Sequence, residues 1–327
     1  MTDLRKRLGA LVTDGFFNGM SGLGRLHPQS RPAAHGLTVT ADQRYLSGED
    51  PAHLYDVYRP SSARPGDALP VVLYVHGGGF RILSKDTHWV MALALARRGY
   101  VVFNVNYRLS GQAPFPAAVE DVCAAYQHVV KVASEYGGDP GRLIVAGESA
   151  GGNLAAVLAV AACFRRDEPY ARAVFDTGVV PQVVLPACAL LQVTDPGRFS
   201  RRRRLLAVVQ DRIDEVAHGY LGSWGIEPHG HPTLDLADPL LLFEGPAVAD
   251  RPLPAFFVPC GTADPLLDDS RRLATALRAR GAPVEEAYYP GGVHAFHAFV
   301  FNRQARECWG DTYRYLDKHF PPRKVAA

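Results

Sequence analysis

A serine between glycines, directly behind a short apolar run, is the feature that most restricts how this chain can fold. The run Leu143–Ala146 leads into Gly-Glu-Ser-Ala-Gly-Gly, residues 147–152, in which Ser149 is the serine. This order predicts a strand, a sharp turn and a helix, because glycines let neighbouring backbone approach where a Cβ would clash. One Gly-x-Ser-x-Gly match is equally compatible with an ordinary turn before a helix. The interpretation therefore depends on motifs elsewhere in the chain.

Three consecutive glycines follow an upstream apolar run. Val71–Val75 leads into His-Gly-Gly-Gly-Phe, residues 76–80. Backbone N–H groups without side-chain bulk can stabilise the oxygen that becomes negative during acyl transfer. A connecting turn without chemistry is the plain alternative, and a phosphate-binding loop is disfavoured because no Gly-Lys-Ser/Thr follows. The predicted oxyanion hole consists of Gly77, Gly78, Gly79 and Ala150, with the last three as the strongest donors.

An aspartate and a histidine follow two later predicted strands. Asp264 comes after the run Leu253–Pro259, and His294 comes after Val284–Tyr289. The chain order serine, aspartate, histidine is that of α/β-hydrolases, and it differs from the orders in chymotrypsin and subtilisin. We therefore predict that Ser149, Asp264 and His294 form a catalytic triad.

Neighbouring residues offer alternatives for two of these positions. His297 lies three residues after His294, but the glycine pair before His294 marks a tight loop after the strand and favours His294. Asp268 and Asp269 precede a helical run, where acidic side chains stabilise the helix N-terminus electrostatically. Asp264 follows its strand directly and is the predicted triad member.

Five segments together resemble the hormone-sensitive-lipase-like family of α/β-hydrolase carboxylesterases. In chain order they are HGGGF, NYRLSGQAPFPAAVED, GESAGG, GTADPLLDDS and GGVHAF, and they extend from roughly residue 71 to the C-terminus. The resemblance implies an α/β-hydrolase fold with a mostly parallel central sheet, helices on both faces and a helical cap. It also implies hydrolysis of short- to medium-chain acyl esters through an acyl-enzyme. Glu148 and Ala295 stand where this family more often has Asp and Gly, which bears on the subfamily and the substrate.

Strands alternate with helices along most of the chain, which predicts ligand binding at the carboxyl ends of parallel strands. Two segments depart from the alternation. We predict that residues 1–36 form the N-terminal part of the cap, that residues 192–232 form the cap insertion, and that residues 37–191 and 233–327 form the catalytic domain. The predicted substrate-pocket residues are Phe80, Glu148, Phe16, Phe17 and Trp224.

Composition agrees with one catalytic domain and argues against a nucleic-acid partner. The chain has 327 residues, 47% of them hydrophobic, and a net charge of +2, which gives no strong positive field. Arg201–Arg204 is the exception and is interpreted as a solvated face. Five scattered cysteines predict buried reduced thiols and disfavour a disulfide framework or a thiolate metal site.

The expected partner is a small-molecule ester, with no cofactor and no metal; the histidines of PHGHP, residues 228–232, lack further ligands at metal-binding spacing. No apolar stretch reaches the roughly 18 residues of a membrane span and no secretory signal is evident, so a cytoplasmic location is expected. A homo-oligomer is left open. A non-catalytic small-ligand receptor on the same fold is the alternative from another class. Receptors that resemble this family lack the catalytic histidine, whereas this chain has His294 at that position, which favours an enzyme. A lipase or an amidase is the alternative among enzymes.

Overall fold

The computed structural model describes residues 15, 19, 21–225 and 234–321. Its strands are β1 Leu37–Arg44, β2 Leu54–Pro60, β3 Leu69–Val75, β4 Val101–Val105, β5 Gly138–Glu148, β6 Val183–Ala187, β7 Ala255–Gly261 and β8 Val284–Tyr289. Its α-helices of stated bounds are α1 Trp89–Ala96, α2 Ala117–Val132, α3 Ala150–Cys163, α4 Pro169–Asp176, α5 Arg198–Arg202, α6 Ala207–Leu221, α7 Pro239–Glu244, α8 Leu267–Ala279 and α9 Arg303–His319. Residues 21–26 are also helical and precede the sheet.

The strands form one sheet in the order β1-β2-β4-β3-β5-β6-β7-β8. The strands β1 and β2 are antiparallel to their neighbours at one edge, and the remaining pairs are parallel. Because parallel strands are covered on both faces, their sequences are continuous apolar runs, as those of β3 and β4 are. The predicted mostly parallel central sheet is confirmed.

Two apolar layers cover the two faces of this sheet. On one face Val71, Leu73 and Val75 of β3 pack in a cluster with α2, α3 and α8. On the other face Val72 and Tyr74 pack with α1 and α9. Alternate side chains of one strand thus serve different layers, because successive Cβ atoms in a strand point to opposite faces.

The register of the parallel strands brings four loops to one edge. Val75 pairs with Gly147, Glu148 pairs with Ala187, and Gly261 pairs with Tyr289. Strands that end level with one another place the loops that follow them side by side. The glycine loop, the serine turn and the loops after β7 and β8 therefore meet at the carboxyl edge of the sheet.

The chain between β6 and β7 contains the segment predicted as the cap insertion. Its described part holds α5 and α6, the second of which is the helix Ala207–Leu221. Residues 226–233, which include the PHGHP sequence, lie outside the described residues, as do the predicted pocket residues Phe16 and Phe17.

Candidate active site

Ser149 occupies a sharp turn between β5 and α3. Its backbone has φ 55° and ψ −118°, a conformation that non-glycine residues adopt only when the surrounding structure enforces it. The turn is enforced by close backbone contacts: a Cβ on Gly151 would lie 2.1 Å from the carbonyl oxygen of Val75, and a Cβ on Gly147 would lie 2.5 Å from the carbonyl carbon of Gly151. The flanking glycines therefore allow the helix to start directly against the neighbouring strand, with Ser149 at the tip.

The three predicted triad side chains form one chain of hydrogen bonds. His294 Nε2 lies 2.9 Å from Ser149 Oγ, and His294 Nδ1 lies 2.9 Å from Asp264 Oδ2. Asp264 is fully buried, and its Oδ1 accepts the N–H of Leu266 at 2.8 Å. The alternative histidine, His297, is buried and takes no part in this chain.

The charge of Asp264 governs the titration of His294. Burial by itself lowers the pKa of His294, but the Asp264 carboxylate outweighs burial through its charge and its hydrogen bond, so the pKa lies above the ordinary 6.5. Because a carboxylate only accepts, Nδ1 carries the proton and Nε2 is left to accept from the Ser149 hydroxyl. The arrangement can remove a proton from the serine.

The glycine loop offers backbone donors, but Gly77 is not one of them. The N–H of Gly77 donates to Glu148 Oε1 at 2.7 Å, so the prediction that Gly77 belongs to the oxyanion hole is wrong. Gly78 and Gly79 have φ 111° and 61°, in the left-handed region that favours glycine. No acceptor among the described residues takes the N–H of Gly78, Gly79 or Ala150.

Two of the predicted pocket residues are internal supports. Phe80 is fully buried and stacks on Tyr220 of α6, with ring centroids 3.7 Å apart. Glu148 is buried beneath the glycine loop, where three donors surround its carboxylate. Their assignment to an open pocket is therefore corrected, because the Phe80 ring is buried in a stack and the Glu148 carboxylate is buried in hydrogen bonds within the protein. Trp224, the third described pocket residue, is 41% exposed just after α6.

Sequence reasoning missed the residues that support the glycine loop. Tyr107 donates from its hydroxyl to the carbonyl of His76 at 3.0 Å and stacks on the His76 ring, whose centroid is 4.3 Å away. His88 Nε2 lies 2.6 Å from Glu148 Oε1. Tyr107 lies in a recognisable motif segment, whereas His88 precedes a helix with no motif to mark it. Only the folded arrangement brings His88 under the loop.

The helix α6 lies directly against the glycine loop. A Cβ on Gly79 would lie 2.7 Å from Val216 Cγ2, and Arg81 pairs with Glu215 at 2.7 Å. The contact places a helix of the predicted cap beside the N–H groups of the loop for which the described residues supply no acceptor.

Ion pairs tie the short helix α5 to α8. Asp269 is fully buried and accepts from Arg198 Nε at 3.1 Å and from the N–H of Leu191 at 2.8 Å. Asp269 lies in the first turn of α8, as predicted, and it is also the centre of a buried cross-link. Two arginines of the predicted solvated face are more than half exposed but paired, Arg201 with Asp195 and Arg202 with Asp268.

One set of side chains in the described structure has ligand atoms close enough to hold a metal: those of Cys188, Asp264 and His294 lie within 4.8 Å of one another. Two of these three already belong to the hydrogen-bonded chain that ends on Ser149. All five cysteines are buried free thiols, as predicted. A search of the described helices finds none with the length and apolarity needed to cross a membrane.

Comparison with known proteins identifies relatives over most of the chain. A family model described as the alpha/beta hydrolase fold matches residues 72–298. Carboxylesterase NlhH of Mycobacterium tuberculosis is 35% identical over 248 residues, which are 75% of this chain and 71% of that protein. Among solved structures, esterase LipW from Mycobacterium marinum has a TM-score of 0.73 at 27% identity, over 96% of this chain and 90% of LipW. A hormone-sensitive lipase from a metagenome library shares the fold, with a TM-score of 0.70 at 24% identity over 93% of this chain and 90% of that one.

Proposed function

We propose that this chain, which belongs to the α/β-hydrolase family and is a carboxylic ester hydrolase, cleaves acyl esters through a Ser149–His294–Asp264 triad and a covalent acyl-enzyme. The predicted resemblance to the hormone-sensitive-lipase-like family is confirmed. The observation that carries the triad proposal is the continuous chain of hydrogen bonds from the buried Asp264 carboxylate through His294 to the Ser149 hydroxyl.

The first half of the reaction forms the acyl-enzyme. His294 Nε2 takes the hydroxyl proton as Ser149 Oγ attacks the ester carbonyl, and the carbonyl oxygen becomes an oxyanion. His294 then gives that proton to the alkoxide as the bond between the carbonyl carbon and the leaving oxygen breaks. Asp264 holds the imidazole in orientation and stabilises its charged form. The alcohol leaves with the proton that came from the serine.

The second half repeats these transfers with water. His294 takes a proton from water, the resulting hydroxide attacks the acyl carbon, and Ser149 regains its proton as the acid departs. We assign the N–H groups of Gly78, Gly79 and Ala150 to the oxyanion in both halves, since no described protein group accepts from them. One such donor contributes roughly 3–4 kcal/mol to transition-state stabilisation.

The substrates in this proposal are esters with short- to medium-chain acyl groups. The support is the family resemblance together with the contact of α6 with the glycine loop, where Val216 lies against Gly79. We assign residues 192–232 to a cap over the site and residues 1–36 to its N-terminal part. Deletion of residues 1–36 is expected to change the ranking of substrates, and an unchanged ranking would contradict that part of the cap.

A pre-steady-state burst with p-nitrophenyl acetate tests the triad. The unaltered chain is expected to release about one p-nitrophenol per active site in the burst, because an activated ester acylates the serine faster than water removes the acyl group, so the acyl-enzyme accumulates. Ser149→Ala is expected to lose the burst, while the control Ser200→Ala keeps it. A burst retained by Ser149→Ala would reject the nucleophile. Absence of turnover in the unaltered chain, with retained binding of an ester, would favour the receptor alternative.

Rates on p-nitrophenyl esters from acetate to palmitate test the substrate class. The rate per titrated active site is expected to be highest for short to medium chains and lowest for palmitate. A maximum at palmitate would instead identify a lipase.

A further inference from the structure

The carboxylate next to the nucleophile lies at the centre of a buried polar network. Glu148 is the last residue of β5, and its side chain is only 4% exposed. Its carboxylate accepts from the N–H of Gly77 at 2.7 Å, from His88 Nε2 at 2.6 Å and from the hydroxyl of Tyr74. None of these groups takes part in the proton transfers proposed above.

We infer that Glu148 and His88 form a buried ion pair that positions the oxyanion loop, and that both are positioning residues for transition-state stabilisation. The inference rests on the proposed function, since it assumes that Gly78 and Gly79 donate to the oxyanion. It concerns the support beneath the loop and leaves the triad as it is.

Hydrogen bonding at both ring nitrogens makes His88 a cation. Its Nδ1 lies 3.1 Å from the carbonyl oxygen of Ser84 and 2.8 Å from Thr87 Oγ1, whose own proton goes to the Ser84 carbonyl. Nδ1 therefore faces acceptors, and Nε2 faces the Glu148 carboxylate, so each nitrogen must carry a proton. Burial lowers the pKa of His88, but the Glu148 carboxylate outweighs burial and raises that pKa. Burial raises the pKa of Glu148, but His88 outweighs burial and holds the pKa of Glu148 at about 2.

Other titratable groups pack around this pair. The His76 and Tyr74 rings lie 5.5 Å and 6.4 Å from the His88 ring, and His297 also interacts electrostatically with Glu148. Burial lowers the pKa of both His76, to about 3, and His297, so both are neutral near pH 7. Among the described groups that contact the Glu148 carboxylate, His88 is then the one cation at neutral pH.

Glu148 and His76 together fix the orientation of the loop, because each holds one of two successive planar peptide groups. The bond from Gly77 N–H to Glu148 fixes the start of the loop, and His76 Nδ1 lies 2.7 Å from the Gly77 carbonyl. That carbonyl and the N–H of Gly78 belong to one peptide plane, so fixing the carbonyl also fixes the direction of the donor. A Cβ on Gly77 would lie 2.6 Å from Glu148 Oε1, which shows that the loop rests directly on the carboxylate.

Glu148→Gln and His88→Gln test this positioning role. Glutamine has nearly the shape of glutamate and can place an amide near the position of His88 Nε2, but either substitution removes the charge pair. Loss of an oxyanion donor costs roughly 10²–10³ in kcat. We expect kcat per titrated active site to fall about 10-fold to 100-fold in each variant, with KM changed by less than about 3-fold. The inhibition constant of a trifluoromethyl ketone, which places an oxyanion in the same site, should rise in proportion to the loss of kcat.

A matched control separates positioning from general damage. His128 is a partly buried histidine whose Nε2 bonds to the Tyr55 hydroxyl at 2.8 Å, away from the glycine loop. His128→Gln should leave kcat per titrated site and ketone affinity unchanged. If Glu148→Gln does not fold, Glu148→Asp keeps the charge, shortens the reach and should show an intermediate loss. Titration of active sites counts only folded molecules, so misfolding alone would not lower the measured kcat.

Two results would overturn the inference while leaving the triad in place. One is an unchanged kcat per titrated site in both glutamine variants. The other is a fall in kcat without a matching loss of ketone affinity. Failure of the proposed function would look different, since it would be a burst that survives Ser149→Ala.

Discussion

At the scale of single residues, four buried or partly buried histidines near the candidate active site have pKa values that are shifted in opposite directions. Burial lowers the pKa of His76 to about 3 and also lowers that of His297. The pKa values of His294 and His88 are raised in spite of burial, because each side chain faces a carboxylate at hydrogen-bond distance. The position of the carboxylates, and not the depth of burial, therefore decides the direction in which the pKa of each histidine is shifted.

The pH dependence of activity follows from the raised pKa of His294. The base must be neutral to accept the Ser149 proton, so activity should fall as pH drops through a midpoint above 6.5. Asp264→Asn removes the charge that raises this pKa, so the midpoint should move to lower pH while kcat falls by roughly 10³–10⁴. The measurement is kcat against pH for both proteins. An unchanged midpoint in Asp264→Asn would show that another group controls the acid limb.

At the scale of elements, the sequence predicted the strands that precede each motif better than it predicted which groups meet there. The strand Val284–Tyr289 has its predicted bounds, and Ser149, Asp264 and His294 could be found because each follows a strand whose end lies on one edge. The role of Gly77 could not be predicted, because its N–H is taken by a carboxylate 71 residues away.

The helix α9 was not predicted, although a signal for it exists. Its sequence is highly charged, which obscures the apolar stripe that packs on the sheet with β7. The buried positions are spaced three or four residues apart for most of the helix. This is the helical period, and a search for apolar residues at that spacing would have found it. These positions are Ala305, Cys308, Thr312, Tyr315 and Leu316.

The contact between α3 and β3 predicts a large difference between two glycine substitutions. A Cβ on Gly151 would meet the carbonyl oxygens of Val75 and His76 at 2.1 Å and 2.6 Å, and backbone atoms of a central strand cannot move aside. Gly151→Ala should therefore lower the free energy of unfolding by about 3 kcal/mol or more, through overpacking. Gly111→Ala, with nothing within 4 Å, should change it by less than about 1 kcal/mol. Urea unfolding of both variants measures the difference, and equal stabilities would contradict the tight contact.

The stack between α6 and the glycine loop predicts opposite effects of two substitutions at Tyr220. The ring is fully buried against Phe80, while its hydroxyl has no hydrogen-bond partner among the described residues. Tyr220→Ala should destabilise the protein by about 3–5 kcal/mol through the cavity it leaves. Tyr220→Phe removes a buried polar atom without a partner and should be neutral or stabilise by about 1 kcal/mol. Thermal unfolding distinguishes these outcomes, and a loss of stability in Tyr220→Phe would reveal an unrecognised partner for the hydroxyl.

At the scale of the whole molecule, the segment between β6 and β7 contacts both the glycine loop and the helix α8. The stack of Tyr220 on Phe80 holds α6 to the glycine loop, and the pair Arg198–Asp269 holds α5 to α8, which follows the loop that carries Asp264. The segment therefore lies against the glycine loop and against the helix that follows the loop of Asp264. The sequence indicated a separate segment here, but the buried cross-link depends on side chains 71 residues apart.

The cross-link between α5 and α8 can be tested by comparing a buried ion pair with an exposed one. Asp269→Asn leaves the Arg198 guanidinium, only 5% exposed, without its counter-charge, and should lower the free energy of unfolding by about 3–5 kcal/mol. Arg201→Ala breaks a pair whose arginine is 62% exposed and should cost less than about 1 kcal/mol. The double variant Arg198→Met/Asp269→Asn removes both charges, keeps an oxygen that accepts the N–H of Leu191, and should recover much of the loss, because desolvation offsets most of the attraction in a buried pair. Urea unfolding of the four proteins gives these differences, and an Asp269→Asn variant as stable as Arg201→Ala would mean that the buried pair does not hold the two parts of the molecule together.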